Sequence, residues 1–144
     1  MDELNIINNL SKVKNFIGVF SRDELHFKYP YPLSIVVNTE DSSHPGSHWV
    51  AIYIDENGYG EYFDSYGFPP MHQEFIWFLE NNSTKSHFYN KKFLQCLTCI
   101  TCGHYCIAYI KMRSNGNTYF DFIKLFTNNQ LINDKIIKKF VKHI

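Results

Sequence analysis

Two strand-like runs meeting at one tight turn constrain this chain more than any other stretch of its sequence. From His48 to Ile54 apolar and polar residues mix in a strand-like pattern, Glu56-Asn57-Gly58 supplies turn residues, and Gly60-Glu61-Tyr62-Phe63-Asp64 returns. Asn-Gly supplies the positive φ that a tight hairpin turn needs, so the pattern predicts a β-hairpin. Antiparallel pairing then carries His48, at the start of one strand, to the same sheet edge as Asp64, at the end of its neighbour, although sixteen residues separate them. After Pro30 and Pro32 the β-branched run Leu33-Ser34-Ile35-Val36-Val37 reads as a buried strand.

Around this β-rich middle the chain reads as helical at both ends. Asp2 is placed to cap a helix whose apolar side is Leu4, Ile7, Leu10 and Phe16, ending near Gly18. Asp41-Ser42-Ser43-His44-Pro45-Gly46 is turn chemistry. Phe75, Ile76, Phe78 and Leu79 suggest a helix that stops at Asn81-Asn82, and Lys92-Phe93-Leu94-Gln95 reads as a last strand. Cys102 to Met112 reads as an apolar helix ended by Ser114-Asn115-Gly116. Thr118 is expected to cap a helix with Phe122, Leu125 and Phe126, and Asn133 another with Ile136, Ile137, Phe140 and Val141. The class is α+β, and 144 residues with 44% apolar and 19% charged side chains make one globular domain, 1–144, with a core of its own.

Fourteen basic residues balance fourteen acidic ones. Apart from Lys135, Lys138, Lys139 and Lys142, which read as the solvated face of a terminal helix, the charges are scattered, so a nucleic-acid partner is not supported by charge and no membrane partner is expected. No secretory leader pattern and no bilayer-length apolar run is present, so the chain is expected to be soluble, intracellular and not secreted. Cys96, Cys99, Cys102 and Cys106 fall within eleven residues, which excludes a disulfide framework between distant segments.

A thiol attacks as thiolate, so it needs a base, a carboxylate to orient the base, and donors for the oxyanion that forms. Cys102, at a predicted helix start, His48, Asp64 and Gln95 can fill these roles, with Gly103 leaving room for a substrate backbone. Each residue alone has a plainer reading: a small buried hydrophobe, a surface histidine, a turn cap, a solvated amide. A metal site is the rival of another class. The spacing C-x2-C-x2-C-x3-C is that of bacterial ferredoxins, and His104 adds a candidate zinc ligand. Against a cluster, no second cysteine group exists and Ile107 stands where the ferredoxin motif has proline.

Taken together, Ile35-Val36-Val37-Asn38-Thr39, His48-Trp49-Val50-Ala51, Tyr62-Phe63-Asp64-Ser65-Tyr66-Gly67-Phe68, Gln95 and Cys102-Gly103-His104-Tyr105-Cys106 resemble the adenain family of viral maturation proteases, in order and in spacing up to about Met112. Related proteases occur in virophages and Polinton-type transposons, and more distant cousins remove ubiquitin-like tags. The resemblance implies a papain-like cysteine protease of permuted order, with a central mixed sheet flanked by helices. It implies Cys102 as nucleophile, His48 as base and then acid, Asp64 orienting His48, and the Gln95 amide with the Cys102 N–H as oxyanion hole. Trp49 would lie beside the histidine and shield a narrow channel for substrate.

The implied substrate is a viral structural precursor, a capsid protein or similar polypeptide, cut at glycine-containing sites in the virion and the infected cell; separately, a monomer without a cofactor is expected. The abundance of Asn, Lys and Ile fits the AT-rich genome of such a setting. Three features depart from adenain. The carboxylate is Asp64 where adenain has glutamate, as in proteases of ubiquitin-like proteins. No cysteine lies between Pro70 and Gln95 to take a disulfide-linked activating peptide. The charge balance lacks the basic surface with which adenain slides on DNA. Removal of ubiquitin-like tags and a metal-binding interaction module remain the alternative readings.

Overall fold

Period-two burial organises the middle of the molecule. The computed structural model describes residues 1–43 and 48–144. Among the described residues, a five-stranded sheet takes the strands in chain order: β1 (Phe16–Ser21), β2 (Leu33–Asn38), β3 (Trp49–Ile54), β4 (Gly60–Phe63) and β5 (His87–Tyr89). The inner pairs β2–β3 and β3–β4 are antiparallel, while β1–β2 and β4–β5 are parallel. Alternate residues along the strands feed two cores. Val36, Ala51, Tyr53 and Phe63 pack with helices α1 (Glu3–Leu10), α3 (Cys102–Ser114), α4 (Tyr119–Ile123) and α5 (Gln130–His143). Ile35, Val37, Val50, Ile52 and Tyr62 pack on the other face with Leu25 and helix α2 (Gln73–Asn82).

The predicted hairpin, the strand at Leu33, α2, α3 and the Thr118 cap of α4 are present, but α4 ends at Ile123 and leaves Leu125 and Phe126 beyond it; three further expectations are corrected. The first helix does not run to Gly18: it ends at Leu10, Asn15 turns the chain at φ 66°, and Phe16 opens β1. Its buried residues are Ile6 and Leu10, whereas Leu4 is exposed. Residues 92–95 are not a strand, because the Leu94 and Gln95 N–H groups both donate to the single carbonyl of Ser65 and form no ladder. The Asn90 side chain closes this segment instead, donating to the Asp64 and Lys92 carbonyls and accepting from the Lys92 N–H.

The last helix starts at Gln130, capped by Asn129, whose side-chain oxygen accepts from the Ile132 N–H. Asn133 is buried within that helix and binds the preceding loop, accepting from the Thr127 N–H and donating to the Thr127 and Leu94 carbonyls. In the predicted loop after Asp41, residues His44 to Gly46 lie outside the described residues. Lys135, Lys138, Lys139 and Lys142 are all exposed on α5.

Helix α3 crosses the sheet against β3 and is fastened at its far end by charge. Arg113 donates twice to the buried Glu61 carboxylate, Nε to Oε1 at 2.8 Å and Nη2 to Oε2 at 2.5 Å, and the Tyr109 hydroxyl donates to the same group. Removing one partner of a buried pair strands the other charge at a cost of about 3–5 kcal/mol. Arg113→Ala is therefore expected to lower unfolding free energy by about that amount in chemical denaturation; an unchanged midpoint would show that Glu61 does not depend on this guanidinium.

Candidate active site

The β3–β4 register sets the first half of the site. Ala51 pairs with Phe63, so His48, one residue before β3, and Asp64, one residue after β4, emerge at the same end of the hairpin. His48 Nε2 lies 2.9 Å from Asp64 Oδ1. The same oxygen accepts the Tyr66 N–H at 2.8 Å, so the carboxylate also closes the turn that follows β4. Asp64 is only 4% exposed. Gly67, at φ 81°, completes the turn; a Cβ there would come within 3.0 Å of the Lys91 and Lys92 carbonyls, so a residue without one is required. The Tyr66 ring lies flat on His48, with centroids 4.7 Å apart, and fixes the plane of the imidazole.

Helix α3 supplies the second half. Thr101 stands at its N-cap but makes no capping bond, because its hydroxyl donates to Asp134 Oδ1 at 3.0 Å. The first-turn N–H groups are thus left free of a side-chain cap, with the positive end of the helix dipole, around Cys102. The Trp49 N–H donates to Cys102 Sγ at 3.5 Å, and the His48 ring and the Gly103 N–H stand close enough to favour charge on the sulfur.

Charge follows from these contacts. Burial opposes an imidazolium at His48, but hydrogen bonds to Asp64 and Cys102 outweigh it and raise the His48 pKa to about 9. Burial likewise opposes a thiolate at Cys102, yet the His48 hydrogen bond, the Trp49 N–H and the imidazolium charge bring its pKa below the ordinary thiol value. The arrangement favours a thiolate–imidazolium pair. Cys106, one turn further along α3, is wholly enclosed, and its pKa is pushed well up by burial and then by the charges of Cys102 and Asp64.

Gln95 is also buried at this end of the sheet. Its Oε1 accepts from the Ser65 hydroxyl at 2.5 Å, and its Nε2 donates to the Cys99 carbonyl at 2.9 Å, with the Tyr66 hydroxyl at 3.4 Å. One N–H of the amide is thereby spent on orientation and the other is only loosely held. Trp49 is half-buried, its Nε1 donating to the Met1 carbonyl at 3.2 Å, and it borders a cleft shared with Val19, Phe20 and Asn38. Gly103 departs from expectation. It is buried, and a Cβ there would meet the Met1 side chain at 3.2 Å, so the space it leaves is filled by Met1 and not held open for a substrate backbone.

The four cysteines do not surround one point. Among the described residues the one group of three or more potential metal ligands is Cys96, Cys99 and Asp134; Cys102, Cys106 and His104 stand outside it. His104 is held neutral by burial and by nearby positive charge, and its Nδ1 has no hydrogen-bond partner among the described residues. The sequence reading missed Ser65, Tyr66 and Asp134. Ser65 and Tyr66 follow Asp64 directly, and their polar groups at a turn were the available signal. Asp134 carried none, since its partners lie about thirty residues away.

Sheet order and flanking helices define the fold class as that of papain-like cysteine proteases of permuted type. The African swine fever virus pS273R protease has this fold, superposing with a TM-score of 0.73 over 98% of this chain and 65% of that one, at 22% identity. ChlaDub1 from Chlamydia trachomatis shares it with a TM-score of 0.52 over 67% of this chain and 46% of that one, at 19% identity. In sequence the chain is homologous to the cysteine protease S273R of African swine fever virus, with 32% identity over 121 residues, covering 76% of this chain and 42% of that protein. The chain thus spans about two fifths of the length of the curated relative it matches. No protein-family model matches the chain.

The ion pair has a chemical signature. Iodoacetamide at mildly acidic pH is expected to label Cys102 ahead of Cys99 and Cys106, as read by peptide mass spectrometry, and His48→Ala is expected to abolish that lead while leaving Cys96 labelling unchanged. Equal labelling of Cys102 with and without the imidazole would refute the pairing.

Proposed function

We propose that this chain is a cysteine endopeptidase working through Cys102, His48 and Asp64. The observation that carries the reading is one sulfur at an uncapped helix start that accepts the Trp49 N–H and shares its charge with the His48 imidazole, with a buried carboxylate behind the ring. Homology to a viral cysteine protease supports it.

In this mechanism the Cys102 thiolate attacks a peptide carbonyl, and the tetrahedral oxyanion is held by the second N–H of the Gln95 amide and by the Cys102 N–H. His48 gives its proton to the leaving amine, a thioester forms, and water activated by His48 releases the acyl group and restores the thiol. Asp64 holds the ring and stabilises its charge. Tyr66, stacked on His48, and Ser65, on the Gln95 carbonyl oxygen, act as positioning residues.

The substrate we infer is a structural precursor polypeptide of a virus, cut in the virion and infected cell. Glycine beside the scissile bond is the expected preference, with Trp49 flanking the channel. Support comes from the kinship with a viral protease and from Trp49, the residue adjoining His48 in the chain, whose N–H donates to the Cys102 sulfur.

Three outcomes test this reading. Cys102→Ala is expected to abolish cleavage of a peptide library, and Gln95→Ala to lower turnover about a hundredfold to a thousandfold; cleavage by Cys102→Ala would remove the nucleophile. Peptides varied around glycine should be cut best where glycine adjoins the bond, whereas rapid labelling of Cys102 by a ubiquitin-like C-terminal electrophile would favour tag removal instead. The kcat/KM profile should be bell-shaped: activity falls at low pH as the thiolate is protonated, and falls at high pH as the imidazolium loses its proton near its pKa of about 9. An alkaline limb unmoved by Asp64→Asn would separate Asp64 from the imidazole, because losing the carboxylate should shift that limb to lower pH.

A further inference from the structure

Cys96 and Cys99 bracket a single turn, closed by the Cys99 N–H donating to the Cys96 carbonyl at 3.1 Å. The turn brings both sulfurs to Asp134 on α5, so that the two Sγ atoms and a carboxylate oxygen lie within 4.8 Å of one another. A C-x2-C turn is the spacing that presents two thiolates to one tetrahedral ion. The carboxylate is fixed from behind: Oδ1 accepts from the Tyr105 hydroxyl at 2.8 Å and the Thr101 hydroxyl at 3.0 Å, and Oδ2 accepts from the Cys96 N–H at 3.2 Å. Ligating carboxylates are characteristically held this way. Asp134 is buried, whereas the two cysteines are part-exposed, and Cys96 lines a surface cleft with Phe93, Leu97 and Gln130 that gives an ion its path.

We propose that Cys96, Cys99 and Asp134 form a zinc-binding site, with the fourth tetrahedral position left to water. Two sulfurs and one oxygen suit zinc, whereas magnesium and calcium take oxygen ligands. Binding converts each S–H to an S–Zn bond and releases two protons to solvent. The site ties the loop at residues 96–101 to α5. The Cys99 carbonyl on that loop holds the Gln95 amide at 2.9 Å, so an ion there stiffens the orientation of Gln95. This inference does not depend on the chain being a protease, since the Cys102 sulfur takes no part in it.

The catalytic-type thiolate is the competing metal ligand, so the test uses the reduced Cys102→Ala chain. Titration with cobalt(II) is expected to saturate at one equivalent with a near-ultraviolet thiolate-to-cobalt band and the visible bands of a tetrahedral site, and zinc should displace the cobalt. Cys96→Ser and Cys99→Ser, each in the Cys102→Ala background and checked for folding by circular dichroism, are expected to halve the thiolate band and weaken zinc at least about tenfold. Absence of a cobalt–sulfur band in folded Cys102→Ala, or its survival in the Cys96→Ser/Cys99→Ser chain, would overturn the assignment.

Discussion

The β3–β4 ladder is the interaction on which the rest of the site depends. Backbone hydrogen bonds fix Ala51 opposite Phe63, and that register alone decides that residue 48 and residue 64 share one end of the sheet. A slip of one residue would turn the side chains of either strand to the opposite face and separate the imidazole from the carboxylate. The ladder is protected by burial on both sides, with Ala51, Tyr53 and Phe63 under α3 and Val50, Ile52 and Tyr62 under α2. Hydrophobic packing thus specifies a polar geometry that polar contacts alone would not.

Helix α3 meets this edge because it is held at both ends by different means. Arg113 and Tyr109 bind Glu61 at the far end of the helix, while Thr101 and Tyr105 bind Asp134 near its start. Asp134 has two effects at once. It draws the Thr101 hydroxyl away from the helix start, which leaves the N–H groups around Cys102 without a side-chain cap, and it anchors α5 to the loop that follows Gln95. The environment of the sulfur is therefore set partly by a residue on the last helix.

The hairpin, the β2 run, α2, α3 and the start of α4 were legible because short-range patterns agree with the tertiary environment: alternation, Asn-Gly and a Thr cap each act within a few residues. Phe16 misled because it is an apolar residue following a helical stripe, whereas the helix ends at Leu10, the chain turns through residues 11–15 and Phe16 opens β1. Strand β5 escaped because His87-Phe88-Tyr89 is three residues long, lacks β-branched side chains and exists through parallel pairing with β4. The start of α5 was hidden by exposed Leu131 and Ile132, apolar side chains that face no core. At the site, His48, Asp64, Gln95 and Cys102 stand out in the sequence by type and spacing. Tyr66 stacking, the Ser65 bond and the role of Asp134 arise only on folding, and Met1 over Gly103 could not be read from a Cys-Gly dipeptide.

The double use of Asp64 Oδ1 has a consequence for chemistry at this position. One oxygen accepts both the imidazole and the Tyr66 amide, so the reach of the side chain is dictated by how sharply the main chain bends after β4. An additional methylene would carry that oxygen beyond the amide and force the bend to open. Whether aspartate or glutamate sits behind the ring is thus a question of loop curvature, and acidity, nearly equal for the two, has little say in it.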